Sequence, residues 1–208
     1  MASFSREYYM GDTVDIARSL LGKTLVRVYD GQPLVCRITE TEAYVGRCDK
    51  ACHAYGYHRT ARNAVMFGPP GHAYIYSIYG MYHCLNLVTE PEGEPSAVLI
   101  RGLEALSGEE VIRRLRFGDG GGGKLNAYQK KNFLNGPGKL CKGLSLTTAE
   151  NGLDLTEDVL FLCESPSDLG LPCPSPKRER ICAGPRVGID YAEEARDFPW
   201  RFRLKTEE

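Results

Sequence analysis

The chain has 208 residues, of which 42% are hydrophobic and 25% charged, and its 26 basic and 27 acidic side chains give a formal net charge of -1. At roughly 100 to 200 residues per domain, this length predicts one domain over 1–208 with a core of its own. Hydrophobic residues run through the whole length, which excludes a disordered chain. A net charge close to zero argues against a nucleic-acid-binding protein only if the charges are evenly spread over the surface.

Eight cysteines raise the question of a secreted, disulfide-stabilised protein. However, no apolar stretch of the signal-peptide type precedes Asp12 and Asp15, and no Cys-x-x-Cys pair occurs. The apolar runs are also far shorter than the roughly 20 residues that span a bilayer. We therefore expect a soluble intracellular protein with reduced thiols and no membrane association.

Capping residues, strand-like runs and turn signals predict the elements of the chain. In chain order they are a helix from Thr13 that stops at Gly22, strands over 23–29 and 33–44 around an Asp30-Gly31 turn, a hairpin over 72–88 turning at Tyr79-Gly80, a strand over 96–101, a helix from a Ser107 capping box to Phe117, a helix over 136–146, and strands over 159–163 and 181–189. Residues 118–130, with the Gly120–Gly123 run, are expected to form a flexible loop. The irregular order predicts an α+β domain around a largely antiparallel, curved sheet with short helices and a protruding hairpin.

The strand over 33–44 carries a candidate catalytic carboxylate. With the period of two of a regular strand, Leu34, Ile38 and Glu42 share one face, although a bulge would break this alignment. Tyr44 lies two residues further on, and His53 can approach after the loop. A carboxylate beside aromatic rings and a histidine is an arrangement that can activate water.

Residues 53–88 are the most biased window in composition. They contain all four histidines, six of the twelve tyrosines, Arg59 and Arg62, and no Asp, Glu or Lys. Such a surface suits nucleic acid, because cations contact phosphates and unstacked bases lie on aromatic rings. The alternative is a hairpin of half-buried sheet tyrosines. Tyr79 favours DNA, since a bulky ring at a hairpin tip is typical of a wedge that enters the helix.

A second basic region follows over 101–142, where nine basic residues face four acidic ones. It is either a DNA-facing surface or a solvated helix face. We predict Arg62 and Lys139, one from each basic region, as DNA contacts. If these regions share one face, the total charge of -1 hides a one-sided protein.

Two other motifs are rejected. Gly118–Lys124 fits the first seven places of a phosphate-binding loop, but Leu125 stands where Ser or Thr is required. Cys48, Cys52 and the neighbouring histidines could be drawn as a metal site, but Cys-x3-Cys-His places the donors too close along one segment. We therefore expect no metal and no cofactor.

Ordered motifs with their spacings run from about residue 7 to residue 203. They are Thr39-Glu-Thr-Glu42-Ala-Tyr44, Asp49-x-Ala51-x-His53, Thr60-x-Arg62-Asn63-x-x-Met66-Phe67, Pro70-Gly-His-Ala-Tyr74-Ile-Tyr76-x-Ile-Tyr79-Gly80-Met81-Tyr82-x-Cys84-x-Asn86, Val98-Leu-Ile-Arg101-Gly-Leu-Glu104, Gly136-Pro-Gly-Lys139-Leu140, Gly184-Pro-Arg186-Val-Gly188-Ile and Pro199-Trp200-Arg201-Phe202. Together they resemble the alkyladenine (3-methyladenine) DNA glycosylase family.

The resemblance implies a role for each matched residue. Glu42 would be the general base that activates the water attacking C1′ of the damaged nucleotide. Arg101 would lie near the sugar-phosphate and that water. Tyr44, His53 and Tyr76 would stack on or contact the flipped base.

Three further roles are implied by the same resemblance. Asn86 would help to exclude guanine, Tyr79 would enter the minor groove, and Met66 would make another contact there. The expected partner is double-stranded DNA with damaged purines, and the expected product is an abasic site, because no lysine falls among the matched catalytic positions. We expect a monomer in the bacterial cytoplasm, or in the nucleus of a eukaryote. Two alternatives stay open, namely a non-catalytic nucleic-acid-binding module and a metal-dependent hydrolase.

Overall fold

The computed structural model describes residues 3–118, 125–175 and 178–207. The strands are β1 Thr24–Tyr29, β2 Gln32–Val45, β3 Ala73–Ile78, β4 Tyr82–Thr89, β5 Ser96–Ser107, β6 Leu160–Cys163, β7 Glu179–Gly184 and β8 Arg201–Thr206. The α-helices are α1 Thr13–Ser19, α2 Glu109–Phe117, α3 Ala127–Lys131 and α4 Pro137–Gly143. Short 3-10 helices cover Arg6–Met10, Tyr55–Tyr57, Ala64–Phe67, Thr148–Glu150, Pro166–Leu169 and Glu193–Asp197.

The eight strands form a single sheet in the order β3-β4-β5-β2-β1-β6, while β8 pairs with both β2 and β7. Each of these pairs is antiparallel. Asp30 and Gly31 both have positive φ, as a two-residue hairpin turn requires. The predicted α+β architecture with a largely antiparallel sheet is therefore confirmed. Among the described residues, every helix is too short or too polar to cross a membrane.

The main core lies between the sheet and the helices α1, α2 and α4. Ile16 and Leu20 from the region of α1, Ile112 from α2 and Leu140 from α4 are buried in one cluster with residues of β1 to β6. The side chain of Asp12 caps α1 by accepting two backbone N–H groups. These contacts pack the helices against the central strands β2 and β5, and both strands carry candidate site residues.

A bulge in β2 decides which way Glu42 points. The register of β2 against β5 shifts on both sides of Glu40. Ile38 and Ala43 both belong to the main core, so the core face passes from even to odd positions across the bulge. Tyr44 packs into two smaller clusters outside that core. The expectation that Leu34, Ile38 and Glu42 share one face is therefore wrong.

Several boundaries differ from those predicted. The strand predicted over 181–189 is β7, Glu179–Gly184, and the helix predicted over 136–146 ends at Gly143. Strand β5 continues through Ser107, and α2 starts after Gly108 with no side-chain cap, so the predicted capping box does not form. The predicted loop over 118–130 is too long, because Asn126 and Gln129 form a capping box that starts α3. The Gly120–Gly123 run lies outside the described residues. Strand β8 was not predicted.

Candidate active site

A pocket of about 340 Å³ opens beside the β3–β4 hairpin, the end of β2 and the segment after β7. This volume falls in the range of ligand-binding pockets. The lining is mainly aromatic and apolar, with a few polar groups. Its members are Tyr44, Ala51, Cys52, His53, Met66, Tyr74, Tyr76, Ile78, Tyr79, Cys84, Asn86, Ala97, Leu99, Arg101, Pro137, Val187, Gly188, Ile189 and Tyr191.

Glu42 is fully buried, and its carboxylate accepts three hydrogen bonds. Tyr44 Oη donates to Oε2 at 2.8 Å, and Arg101 Nη1 donates to the same oxygen at 3.4 Å. The backbone N–H of Val187 donates to Oε1 at 2.8 Å. All three donors belong to residues that line the pocket. The predicted base therefore lies directly behind the pocket wall.

Two arginines and a second carboxylate extend this network. Arg101 Nε lies 3.4 Å from Glu40 Oε1, and Arg201 Nε donates to the same oxygen at 2.5 Å. Burial raises the pKa of Glu42, and Arg101 is the largest of the opposing influences, followed by its hydrogen-bond donors and by Arg201. A carboxylate with a raised pKa, held beside a pocket, is what general base catalysis requires.

The aromatic wall of the pocket contains His53 and Tyr76, as predicted, and also Tyr74. His53 Nδ1 lies 2.9 Å from Tyr74 Oη, and its ring meets that of Tyr76 edge-on with 4.6 Å between centroids. The Tyr74 and Tyr76 rings are 5.3 Å apart. Burial, and then the positive charge of Arg62, lowers the pKa of His53. The imidazole is therefore neutral at pH 7 and can stack on an uncharged or cationic base.

Asn86 lies on β4 beneath the aromatic wall and is 4% exposed. Its Nδ2 donates to the carbonyls of Tyr74 and Cys84 at 3.1 and 3.3 Å. These two bonds fix the orientation of the amide, and the oxygen Oδ1 remains as its acceptor. Cys84 also lines the pocket, where burial raises the pKa of its thiol, so that this sulfur is not a nucleophile at neutral pH.

The tip of the β3–β4 hairpin carries the predicted wedge. Tyr79 and Gly80 both have positive φ, 51° and 68°, which forms a tight turn between the strands. Tyr79 is 87% exposed, and Met81 beside it is also exposed. Tyr79 nevertheless contributes to the pocket mouth. A large ring held in solvent at the edge of the pocket has no role in the core.

The two predicted cations keep their charge available. Arg62 lies over the Tyr76 ring at 4.9 Å and donates to the carbonyl of Ser77. Lys139 Nζ donates to the neutral side chains of Asn132 and Asn135, at 2.8 and 3.1 Å. Among the described residues neither cation has a carboxylate partner. This is the state expected of side chains that contact phosphate.

Met66 does not lie at the surface. It is 2% exposed and packs in a small cluster with Tyr74, Val88 and Ala97 below the pocket. A minor-groove contact requires an exposed side chain, so this position does not fit the predicted role. Met66 forms part of the pocket wall instead.

Asp49 and Arg186 form a buried ion pair whose importance the sequence analysis missed. Arg186 Nη2 donates to Asp49 Oδ1 at 2.7 Å, and Nη1 donates to Oδ2. Both residues belong to the motifs quoted above, but nothing in their spacing indicates that they pair. The sequence offers only a weak indication, which is that each residue is a charged side chain among small glycine or alanine residues.

The cysteines near the pocket are free thiols that differ in exposure. Cys48 is exposed, whereas Cys52 is buried, and burial raises the pKa of the Cys52 thiol to about 12. Within residues 3–118, 125–175 and 178–207, no group of three or more His, Cys, Asp or Glu side chains is arranged to hold a metal ion.

Comparison with known proteins identifies the family of the chain. Residues 7–208 match the methylpurine-DNA glycosylase family. A Bacillus cereus (strain G9842) protein named "Putative 3-methyladenine DNA glycosylase" is 48% identical over 198 residues, covering 95% of this chain and 93% of that protein. Proteins of the same name from Bacillus cytotoxicus and Bacillus thuringiensis (strain Al Hakam) are 48% and 47% identical, covering 96% and 94% of this chain and 94% and 92% of their own lengths. By sequence over nearly its whole length, the chain belongs to the methylpurine-DNA glycosylase family.

Proposed function

We propose that this protein is a monofunctional DNA glycosylase of base excision repair, which flips alkylated or deaminated purines out of double-stranded DNA and hydrolyses their N-glycosidic bond. The observation that carries the proposal is the buried carboxylate of Glu42, held by Tyr44 and Arg101 behind an aromatic pocket. Family membership supports DNA glycosylase activity on alkylated bases. The products are the free base and an abasic site.

Base flipping supplies access to the bond. A glycosidic bond inside a duplex is shielded, so the nucleotide leaves the stack at a cost of a few kcal/mol, least for a damaged or badly paired base. Stacking on an aromatic ring returns about 1–3 kcal/mol. Tyr44, His53 and Tyr76 provide rings for the flipped base, and Tyr79 fills the gap left in the duplex.

Hydrolysis then depends on Glu42. Its carboxylate accepts a proton from the water that attacks C1′, which contributes about 10²- to 10⁴-fold to the rate. Arg101 contacts the sugar-phosphate and orients the same water. An alkylated purine is cationic and leaves readily, whereas hypoxanthine is neutral and needs hydrogen bonds or protonation at the purine. Asn86 excludes guanine from the pocket.

Arg62 and Lys139 contact phosphates beside the flipped nucleotide, and no lysine acts as a nucleophile on the sugar. The protein works as a monomer without a metal or cofactor. The bacterial origin of its relatives supports a bacterial cytoplasm, in association with the chromosome.

The test uses a duplex oligonucleotide with one hypoxanthine and a second duplex treated with a methylating agent. Each is incubated with excess protein, with and without EDTA, and is then analysed for free base and for strand breaks before and after alkali. We expect release of damaged purine, breaks only after alkali, and no effect of EDTA.

Each alternative function predicts a different result. Retained binding of both duplexes without base release would identify a non-catalytic binding module. Loss of release in EDTA would identify a metal-dependent hydrolase. Strand breaks before alkali would contradict direct hydrolysis and would indicate Schiff-base chemistry.

A further inference from the structure

We propose that Arg186 and Asp49 are positioning residues, whose buried ion pair sets the Tyr44 hydroxyl and the Val187 amide on the carboxylate of Glu42. The side chains of Arg186 and Asp49 are fully buried and bond to each other and to backbone groups, so they act on the site through Tyr44 and Val187. The inference rests on the proposed function, because it concerns the same general base.

The guanidinium of Arg186 joins three segments of the chain. Besides the two bonds to Asp49, Nη1 donates to the carbonyl of Ala43 at 2.8 Å, and Nη2 donates to the carbonyl of Ala195 at 3.0 Å. Ala43 lies in β2 between Glu42 and Tyr44. The geometry therefore ties the catalytic end of β2 to the segment after β7.

The same guanidinium also contacts two aromatic rings. Its Cζ lies 4.7 Å from the centroid of the Tyr44 ring and 5.3 Å from that of Trp200. A planar cation stacks on a ring with directional preference, which a lysine ammonium does not reproduce. The Tyr44 ring is thus supported from behind, while its hydroxyl reaches Glu42.

Asp49 organises the other side of the pocket. Its Oδ1 accepts the N–H of Ala51 at 2.9 Å, and its Oδ2 accepts that of Val45 at 3.4 Å. This turn leads directly into His53. One fully buried ion pair therefore connects the strand that carries the base with the loop that carries His53.

The pKa of Glu42 depends on the position of the groups that donate hydrogen bonds to its carboxylate. Val187 follows Arg186 directly, and its N–H is the donor to Oε1. If the Arg186 anchor is weakened, this amide and the Tyr44 hydroxyl move away from the carboxylate together. The charged and titratable groups that still face Glu42 are then Arg101 on β5, Arg201 on β8, Cys84 on β4, the side chain at position 186 and a displaced Tyr44.

The predicted consequence is a change in ionisation. Hydrogen bonds to a carboxylate lower its pKa, so losing them raises the pKa of Glu42 further. The base is then protonated over a wider pH range. The effect is largest below the pKa and fades at higher pH, which a general loss of stability would not produce.

The test compares wild type with Arg186→Lys, which keeps the buried charge, and with Asp49→Asn, which keeps the shape. The pKa of Glu42 is measured from ¹³C carboxyl shifts, and single-turnover base release is followed from pH 4 to 9 on the folded protein. We expect the Glu42 pKa and the acid limb of the rate profile both to move up by about one pH unit in Arg186→Lys. That shift corresponds to about a tenfold loss of rate on the acid side. We expect a smaller upward shift in Asp49→Asn, because losing the Asp49 charge leaves the Arg186 cation free to favour the ionised form of Glu42.

Arg27→Lys is the matched control. Arg27 lies on β1 and, like Arg186, is a buried arginine whose Nε has no hydrogen-bond partner among the described residues. Its Nη2 lies 3.3 Å from Glu150 Oε1. We expect this variant to lose stability with no movement of the acid limb.

Three results would overturn the inference. In the first, both variants fold and titrate Glu42 as in wild type. In the second, the rate falls only in proportion to the folded fraction. In the third, neither variant folds, which would give the pair a purely structural role. If wild type releases no base, the proposed function fails separately, while the ¹³C titration still decides whether the pair positions Glu42.

Discussion

The carboxylate of Glu42 experiences two opposing influences. Burial disfavours its charged form, whereas Arg101 and the hydrogen bonds from Tyr44 and the Val187 amide favour it, and the balance raises its pKa above the ordinary 4.5. A base is most useful when its pKa approaches the working pH but leaves it ionised there. Fewer donors would raise the pKa of Glu42 further, and more would lower it and make the carboxylate a weaker base.

This balance gives a prediction for the pH dependence. Only the ionised carboxylate can accept a proton from water, so the single-turnover rate of base release should fall as pH decreases through the Glu42 pKa. Because that pKa is raised, the midpoint of the acid limb should lie above 4.5. Base release in samples quenched at fixed times from pH 4 to 8 gives this midpoint, and circular dichroism checks folding at each pH. An acid limb centred at or below 4.5 would contradict the assignment.

Some site residues can be predicted from sequence and others cannot. Glu42, Tyr44 and His53 stand out because a carboxylate close to aromatic residues is chemically recognisable. Asp49 and Arg186 are 137 positions apart, and their importance comes from burial, which only the packed chain defines. Burial also moved Met66 from the predicted surface to the pocket wall.

At the scale of elements, the hairpins were predictable and the bulge was not. Asp-Gly and Tyr-Gly dipeptides between strand-like runs specify tight turns, and both turns form with positive φ. The bulge at Glu40 has no comparable sequence signal, because it depends on the pairing of β2 with β5. Strand β8 escaped prediction because its alternation of buried and exposed positions is weak, with one buried residue, Phe202.

The β3–β4 hairpin supplies a prediction for DNA. Tyr79→Ala should slow base release from duplex by about ten- to a hundredfold, since a stacked aromatic contributes about 1–3 kcal/mol. Because Tyr79 is 87% exposed, the melting temperature should change little. Tyr128→Ala, a comparably exposed tyrosine outside the pocket lining, is the control and should keep the wild-type rate.

Two results would contradict a wedge role for Tyr79. A large drop in the melting temperature of Tyr79→Ala would assign the ring to the fold. Unchanged release from duplex at saturating protein would remove its role as a wedge.

For the whole molecule, the net charge of -1 conceals differences in pairing. Lys23 is paired with Glu164 and Lys50 with Glu193 and Glu194, whereas Arg62 and Lys139 bond only to neutral groups among the described residues. Burial and the nearby Arg116 lower the pKa of Lys139. A phosphate would favour its charged form. The total charge therefore predicts modest affinity, and we predict that Arg62 and Lys139, which flank the pocket, contact the DNA.

The salt dependence of DNA binding tests whether Arg62 and Lys139 contact the DNA. Non-specific duplex affinity should fall as salt rises, and Arg62→Gln and Lys139→Gln should each reduce the slope of log K against log salt by about one. Lys23→Gln, at the other edge of the sheet, should leave the slope unchanged. Fluorescence anisotropy from 50 to 300 mM salt measures the slopes. Equal slopes for all four proteins would show that DNA binds elsewhere.

The central claim is that Glu42 performs the chemistry while the pocket and hairpin perform recognition. Its most direct test is the single-turnover rate of damaged-purine release by Glu42→Gln, measured at protein concentrations well above its own Kd for the lesion duplex. We predict a loss of at least about a hundredfold, with the Kd within about threefold of wild type because Glu42 lies behind the pocket wall. Release within tenfold of the wild-type rate would contradict the claim.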